Sequence, residues 1–369
     1  MKKVIVKYDD LLDIDKLFKM YHIIKNNTKH RDKIFKYETN LTTNLINILD
    51  KLKNKNYVHG EYNLFLIYKP KCRVIMSEKM DDKIVNHLIS YYVLKKIIEP
   101  KLIDFNVATR TGKGTKMGIE YIKKYINYMK NKYDKFYILK CDISKYFYNI
   151  DHDILKNKLI KDIKDKDILN ILFSIINSTN STYVNNHLNK NINKRKEFIN
   201  NLTISNKEKE YLLNEINNIP LYNYNKGLPI GNMTSQILAV YYLNDIDHYI
   251  KEKLRVKCYV RYMDDMILMH GNKNYLKECY YYIKCELKKV KLFFNNKTQI
   301  IEIHNGFNFL GCKFILKSKK LLILLNNKTK RRILNRIKYE KIINKKLFLF
   351  ERYNGYLSRC NSNGFIYKI

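Results

Sequence analysis

Two adjacent acids, Asp264 and Asp265, stand in the segment CYVRYMDDMILM (258–269) between two apolar runs. Tyr259, Val260 and Tyr262 before them, and Met266, Ile267, Leu268 and Met269 after them, read as strands that are at least half buried. The pair is therefore predicted at a hairpin. Asp is an ordinary turn residue, because its carboxylate accepts from local backbone N–H groups. A turn does not need two of them, however. Like charges about 4 Å apart repel by roughly 4 kcal/mol at an effective dielectric near 20, and a bound divalent cation relieves that repulsion. All-oxygen ligation suits Mg²⁺ or Mn²⁺.

A third acid, Asp142, follows a run at 136–141 that reads as a buried strand; the chain then turns through Ser144 and Lys145 to Phe147, and Asp151 is placed to N-cap the next helix. A lone acid at a strand end is common, so this segment alone also fits a purely structural part. The stretch YNLFLIYKPKCRVIMSE (62–78) gives two short strands joined through Lys69, Pro70, Lys71 and Arg73. Pro70 favours a turn, which displays the bases at a hairpin tip or edge. TRTGKGTKMGIEYI (109–122) lacks the spacing of a Walker loop and reads as a glycine-permitted approach to phosphate at a helix start. NKGLPIGNMTSQILAVYYLNDIDHYIKEKL (225–254) gives a loop and a long amphipathic helix with Thr234, Ser235 and Gln236 in its first turn. Lys297 falls in a turn followed by two or three strands. Residues 1–60 look helical, 157–225 is Lys/Asn-rich with helical pieces and several loop signals and fits an insertion or flexible connection, and a strongly basic helix runs from 328 to 346.

The chain has 369 residues, 46% of them hydrophobic, which is ample for a core divided among subdomains. Lys and Arg number 71 against 35 Asp and Glu, a formal charge of +36. An AT-rich coding bias explains abundant Lys, Asn, Ile and Tyr, but not a twofold excess of bases over acids. So large a charge points to a polyanionic partner, nucleic acid ahead of a membrane surface. Seven cysteines without a Cys-x-x-Cys pair read as reduced packing residues. The apolar runs are too short to span a bilayer, and no signal-peptide core opens the sequence. A cytoplasmic protein without a membrane partner is the expectation.

Taken in order, the basic hairpin, the strand-Asp-x-x-x-x-Phe segment, the GLPIGNMTSQ loop and helix, the Tyr-Met-Asp-Asp hairpin, the Lys-Thr turn and the Phe-Leu-Gly strand resemble the successive motifs of reverse transcriptases, from about 62 to 315. The resemblance implies an α+β right-hand polymerase: a helical extension (1–60), fingers (61–133), a palm (134–156 and 222–315) whose antiparallel sheet has helices on one face, an insertion or fingers–palm connection (157–221), and a small helical thumb (316–369). It implies RNA-directed DNA polymerisation with Asp142, Asp264 and Asp265 catalytic. Together with Ile143 they would hold two Mg²⁺ ions, or Mn²⁺, Asp142 and Asp264 bridging both. Lys69, Lys71, Arg73, Phe147, Ile230, Gly231 and Lys297 would meet the incoming dNTP. Arg73 would grip phosphate with its fork, Phe147 would clash with a ribose 2′-hydroxyl, and Lys297 would protonate departing pyrophosphate. Asn232, Ser235 and Gln236, with Phe309, Leu310 and Gly311 as primer grip, would meet template RNA and the cDNA primer or product.

IGNMTSQ, ATRTGKGT and YNGYLSRC are similar to the reverse transcriptases of diversity-generating retroelements. That similarity implies a template-repeat RNA, a small basic accessory protein and adenine-mutagenised cDNA. Ile230, with no hydrogen-bonding group, would loosen discrimination. Defence-associated and retron-type reverse transcriptases, each with a dedicated noncoding RNA, share most of these motifs and are the alternative.

Overall fold

The computed structural model describes residues 5–28, 31–68, 72–338 and Cys360. The chain opens with helices α1 (Ile14–Asn27), α2 (Arg31–Glu38) and α3 (Leu41–Lys53), then strands β1 (Asn63–Ile67) and β2 (Arg73–Ser77), and helices α4 (Met80–Ile89), α5 (Lys95–Ile98) and α6 (Thr115–Lys132). Strand β3 (Tyr137–Cys141) precedes α7 (Tyr146–Asn149), α8 (His152–Asp162), α9 (Lys166–Asn177), α10 (Thr182–Asn200), α11 (Asn206–Asn217), α12 (Met233–Tyr242) and α13 (Asn244–His248). There follow β4 (Cys258–Tyr262), β5 (Asp265–His270), α14 (Lys273–Lys289), β6 (Gln299–Glu302), β7 (Phe307–Phe309), β8 (Cys312–Lys317), β9 (Lys320–Leu325) and α15 (Asn327–Lys338).

The described residues fall into two compact units that alternate along the sequence. One draws on Met1–Leu102, Lys145–Asn244 and Val290–Leu292, the other on Ile103–Ser144, Asp245–Lys289 and Phe293–Ile369.

The first unit is mainly helical around the antiparallel β1–β2 hairpin, registered from Asn63↔Ser77 to Ile67↔Arg73. Asp13, Asp151 and Asp165 cap α1, α8 and α9, each side chain accepting from N–H groups of the first turn. Residues 157–221 are mostly helical, so the expected helical pieces are present and longer than the loops between them. Val184, Leu188, Ile192 and Ile199 keep helical spacing through the Lys/Asn-rich sequence and join Tyr62, Val74 and Met76 of the hairpin in one core. Helix α12 is buried at eight of its ten positions, which marks it as the central helix of its unit; it packs on α4.

The second unit is built on an antiparallel sheet of order β4-β5-β3-β6, beside a smaller sheet β7-β8-β9. Met266, Ile267, Leu268 and Met269 are buried in succession. Neighbouring residues of a strand point to opposite faces, so both faces are covered. The expectation of helices on one face only is corrected. Ile119, Ile122 and Ile126 of α6 share a core with Ile138, Val260 and Ile267, while α14 packs on β3 and β5 and brings Cys279 beside Cys141 of the opposite face. None of the seven cysteines is in a disulfide, and the Sγ atoms of Cys312 and Cys360 lie 3.5 Å apart. Among the described residues no helix is long and apolar enough to cross a membrane. The expected basic helix is seen as α15; its predicted continuation to 346 lies outside the described residues.

Candidate active site

Strand β3 ends in the registered pair Cys141↔Met266 with β5. One residue further along the same register, Asp142 stands opposite Asp265, and directly opposed residues of an antiparallel pair share a face. The Asp142 backbone is held from the far side: its carbonyl accepts from Asn295 N at 2.9 Å, and its N–H donates to Thr298 Oγ1 at 3.1 Å. Ile143, buried, forms an antiparallel bridge with Phe294. These bonds fix the turn at 295–298 that carries Lys297.

The β4–β5 hairpin closes with Tyr262↔Asp265 opposed, leaving Met263 and Asp264 as its two-residue turn. Such short turns need a positive φ, supplied here by Met263 at 56°. A non-glycine residue held there is strained unless its surroundings fix it. They do so through Arg261, whose side chain is fully buried. Its Nη1 donates to the Met263 carbonyl at 2.8 Å, its Nε donates to Asp247 Oδ1 at 2.7 Å, and Nη2 donates to Asp247 Oδ2. Tyr259 O–H donates to the same Asp247 Oδ1 at 2.6 Å. The backbone of Arg261 is tied on both sides, its N–H to Phe105 O and its carbonyl to Val107 N, each at 3.0 Å.

Burial raises the pKa of Asp265 above the ordinary carboxylate value, with Lys140 opposing, Asp142 adding repulsion, and Lys297 opposing. Lys297 is thus close enough to act on Asp265. Lys140, which sequence reasoning passed over, joins it two residues before Asp142 on the same strand face; its Nζ donates to Asn308 O at 2.9 Å. Phe309, Leu310 and Gly311 form the tight β7–β8 connection, Phe309 paired with Cys312 and both turn residues at positive φ (49° and 82°). Leu310 lies against Gly118 of α6, where a Cβ would come within 2.5 Å of its Cδ1. Gly118 therefore acts as a seat for that turn. Gly112 and Gly114 stand in open space at the start of the same helix.

In the first unit, the Ile230 loop is fastened to β2. Ile230 O accepts from Met76 N at 2.8 Å. Gly231, at φ 141°, lies so close that a Cβ would sit 2.5 Å from Met76 O, so only glycine fits. Buried Asn232 donates from Nδ2 to Tyr62 Oη at 2.9 Å. Ser235 is buried too, and Gln236 is exposed. Phe147 is half-buried, and its carbonyl accepts from Leu228 N at 2.8 Å, which joins it to this loop. Arg73 is exposed at the start of β2. Lys69 and Lys71 lie outside the described residues.

The donor chemistry fits a hard cation: two opposed carboxylates, a third in the adjoining turn, and a raised Asp265 pKa that a cation would lower. Among the described residues, no three His, Cys, Asp or Glu side chains stand close enough to form a ready-made metal cluster.

A family model described as reverse transcriptase (RNA-dependent DNA polymerase) matches residues 53–314. The chain belongs to the reverse transcriptase family. It is an RNA-directed DNA polymerase, a nucleotidyltransferase acting on an RNA template, and divalent ions are the family's usual cofactors. A search of curated proteins found no match. Sequence reasoning on this reverse transcriptase missed Arg261 and Asp247. The signal was a lone guanidinium in an otherwise apolar strand, where an unpaired charge is almost never buried.

Proposed function

We propose that this reverse transcriptase extends a cDNA primer by two-metal nucleotidyl transfer and that its product is mutagenised at template adenines. The observation that carries the catalytic part is the register that opposes Asp142 to Asp265 beside the Asp264 turn. Asp142, Asp264 and Asp265, with the Ile143 carbonyl, would hold Mg²⁺ or Mn²⁺. When bound, the ions neutralise charge on the attacking and leaving oxygens. The primer 3′-hydroxyl gives up its proton to water, and its oxygen forms a bond to the α-phosphorus of the dNTP as the bond to pyrophosphate breaks. Arg73 and, by sequence, Lys69 and Lys71 grip the triphosphate, and Lys297 delivers a proton to the departing pyrophosphate. Phe147 excludes the 2′-hydroxyl of ribonucleotides. Phe309, Leu310 and Gly311 hold the primer end, and Gln236 faces template or primer, with Asn232 and Ser235 supporting it from within. Fingers at 61–133, palm at 134–156 and 222–315, and thumb at 316–369 remain the proposed division.

For the retroelement assignment, Ile230 carries the weight. Its side chain offers no hydrogen bond to a nucleobase, while its backbone is fixed to β2, so discrimination at this loop rests on shape alone. Template RNA, dNTPs, the cDNA strand and a small basic accessory protein are the proposed partners. The test is Mg²⁺-dependent extension of a primed, adenine-containing RNA template, with sequenced products and Asp264→Ala as control. Errors concentrated opposite adenine, reduced in Ile230→Gln, are expected. Accurate synthesis by the wild type would favour the defence-associated or retron-type alternative, and an unchanged error spectrum in Ile230→Gln would remove the role given to Ile230.

A further inference from the structure

We propose that the groove between β1 and α10 is a binding surface for unpaired RNA. It has a volume of about 290 Å³ and is lined by Leu64, Phe65, Leu66 and Tyr68 on one side and Asn191, Lys194, Arg195 and Phe198 on the other. Three of those side chains are large aromatics left in solvent: Phe65 is 46% exposed, Tyr68 38% and Phe198 51%. Isolated exposed aromatics need no explanation, but a cluster around one groove marks a contact surface.

Arg195 sets the chemistry of that surface. Its guanidinium carbon lies 4.0 Å from the Tyr68 ring centre and 4.6 Å from that of Phe198. The plane is thus held by two aromatic rings, which suits Arg and not Lys. Among the described residues it has neither a carboxylate partner nor a hydrogen bond, and its Nε is buried without one. A guanidinium positioned by stacking, with its donors unspent, is prepared for an incoming acceptor such as phosphate or a base carbonyl. Asn191 fixes the groove wall by donating from Nδ2 to Leu64 O at 2.9 Å, so the free edge of β1 is covered there rather than offered to another strand.

Charge selects the occupant. Helix α10 carries Lys190, Lys194, Arg195 and Lys196 against the single acid Glu197, in a chain of formal charge +36. Stacking rings beside a basic helix are the general device for single-stranded nucleic acid, since every base has a π-face and every linkage an anion. The enzyme copies RNA, so its template is the unpaired polyanion always present. None of this depends on which residues are catalytic.

The test is fluorescence anisotropy of labelled oligo(U), oligo(dT) and a blunt RNA–DNA hybrid with the full-length protein and three variants. Phe198→Ala, at a half-exposed position, is expected to leave the melting temperature unchanged. Phe198→Ala and Tyr68→Ala are each expected to weaken oligo(U) binding by roughly 5- to 150-fold, the range for one lost base–aromatic stack, with hybrid binding within about twofold of wild type. Arg195→Lys, which keeps the charge and loses the planar fork, should weaken oligo(U) as well; full retention there would mean unspecific electrostatics and overturn the proposal. Unchanged oligo(U) affinity in the aromatic variants, or an equal loss on the hybrid, overturns it too. A greater loss on oligo(dT) than on oligo(U) would give the groove to the product strand and refute its assignment to RNA.

Discussion

Arg261 offers the sharpest perturbation, because its stabilising and positioning effects can be separated. The guanidinium and the Asp247 carboxylate are both 0% exposed, and the pair also receives the Tyr259 hydroxyl. Arg261→Met leaves Asp247 buried with that one hydroxyl donor. Breaking a fully buried pair in this way costs about 3–5 kcal/mol, a large share of the roughly 5–15 kcal/mol that holds a typical protein folded. A loss of activity in this single variant would therefore be uninformative. Replacing the whole cluster, Arg261→Met with Asp247→Leu and Tyr259→Phe, removes both charges and the hydroxyl they would orphan. Apolar replacement of a complete buried pair is neutral or better in comparable cases, so the melting temperature should return close to wild type.

What the triple variant does not restore is the bond from Arg261 Nη1 to the Met263 carbonyl. A hydrogen bond from a charged group contributes about 1.5–3 kcal/mol, and here it holds a positive-φ residue in the turn that carries Asp264. Releasing the turn is expected to lower kcat about 10- to 100-fold, as small misplacements of reacting groups do, with KM for dNTP within about twofold. Steady-state primer extension at saturating template, beside thermal melting, reads both quantities. If the triple variant regains kcat together with its stability, Arg261 only supports the fold and the positioning argument fails.

Asp265→Asn should abolish extension, by on the order of 10²–10³-fold or more, yet raise the melting temperature in metal-free buffer, since it removes a poorly solvated charge facing Asp142; a lower melting temperature would mean that the acids are not in conflict. Burial pushes the Glu78 carboxyl up to about 8 from an ordinary 4.5, with Lys83 opposing and Asp82 adding to the rise. Its proton is bound more tightly in the folded chain, so its contribution to stability is full below pH 4.5 and is lost as pH rises through 8; Glu78→Gln should close the gap between melting temperatures at pH 5 and pH 8, and an unchanged gap would refute the assignment. Six to ten phosphate contacts imply roughly 10³- to 10⁵-fold weaker nucleic-acid binding between 50 and 200 mM salt, and a flat titration would contradict the polyanion reading of the +36 charge.

The acids were legible because their signal is local. Strand character on both sides of Asp264 and Asp265, and before Asp142, is enough to place carboxylates at strand ends, and antiparallel pairing then needs only a register to oppose them. The support was not legible in the same way. Arg261 and Asp247 are fourteen residues apart and on different elements, β4 and α13, and no period of either element predicts that they meet. Helix α6 shows a similar limit: Ile119, Ile122 and Ile126 declare that one side is buried, but not against which face of the sheet, so helices on one face was as consistent with the sequence as helices on both. The extent of helix in the Lys/Asn-rich stretch was hard to read for another reason. Its composition resembles a linker, yet folding responds to where the apolar residues fall, and Val184, Leu188 and Ile192 recur every four residues with Ile199 seven further on. Bias toward Lys and Asn changes what the solvent-facing positions hold and leaves the buried ones intact. In a chain of this composition, spacing of the few apolar residues is therefore the better guide, and a lone charge within an apolar strand, as at Arg261, is the place to look for a tertiary partner.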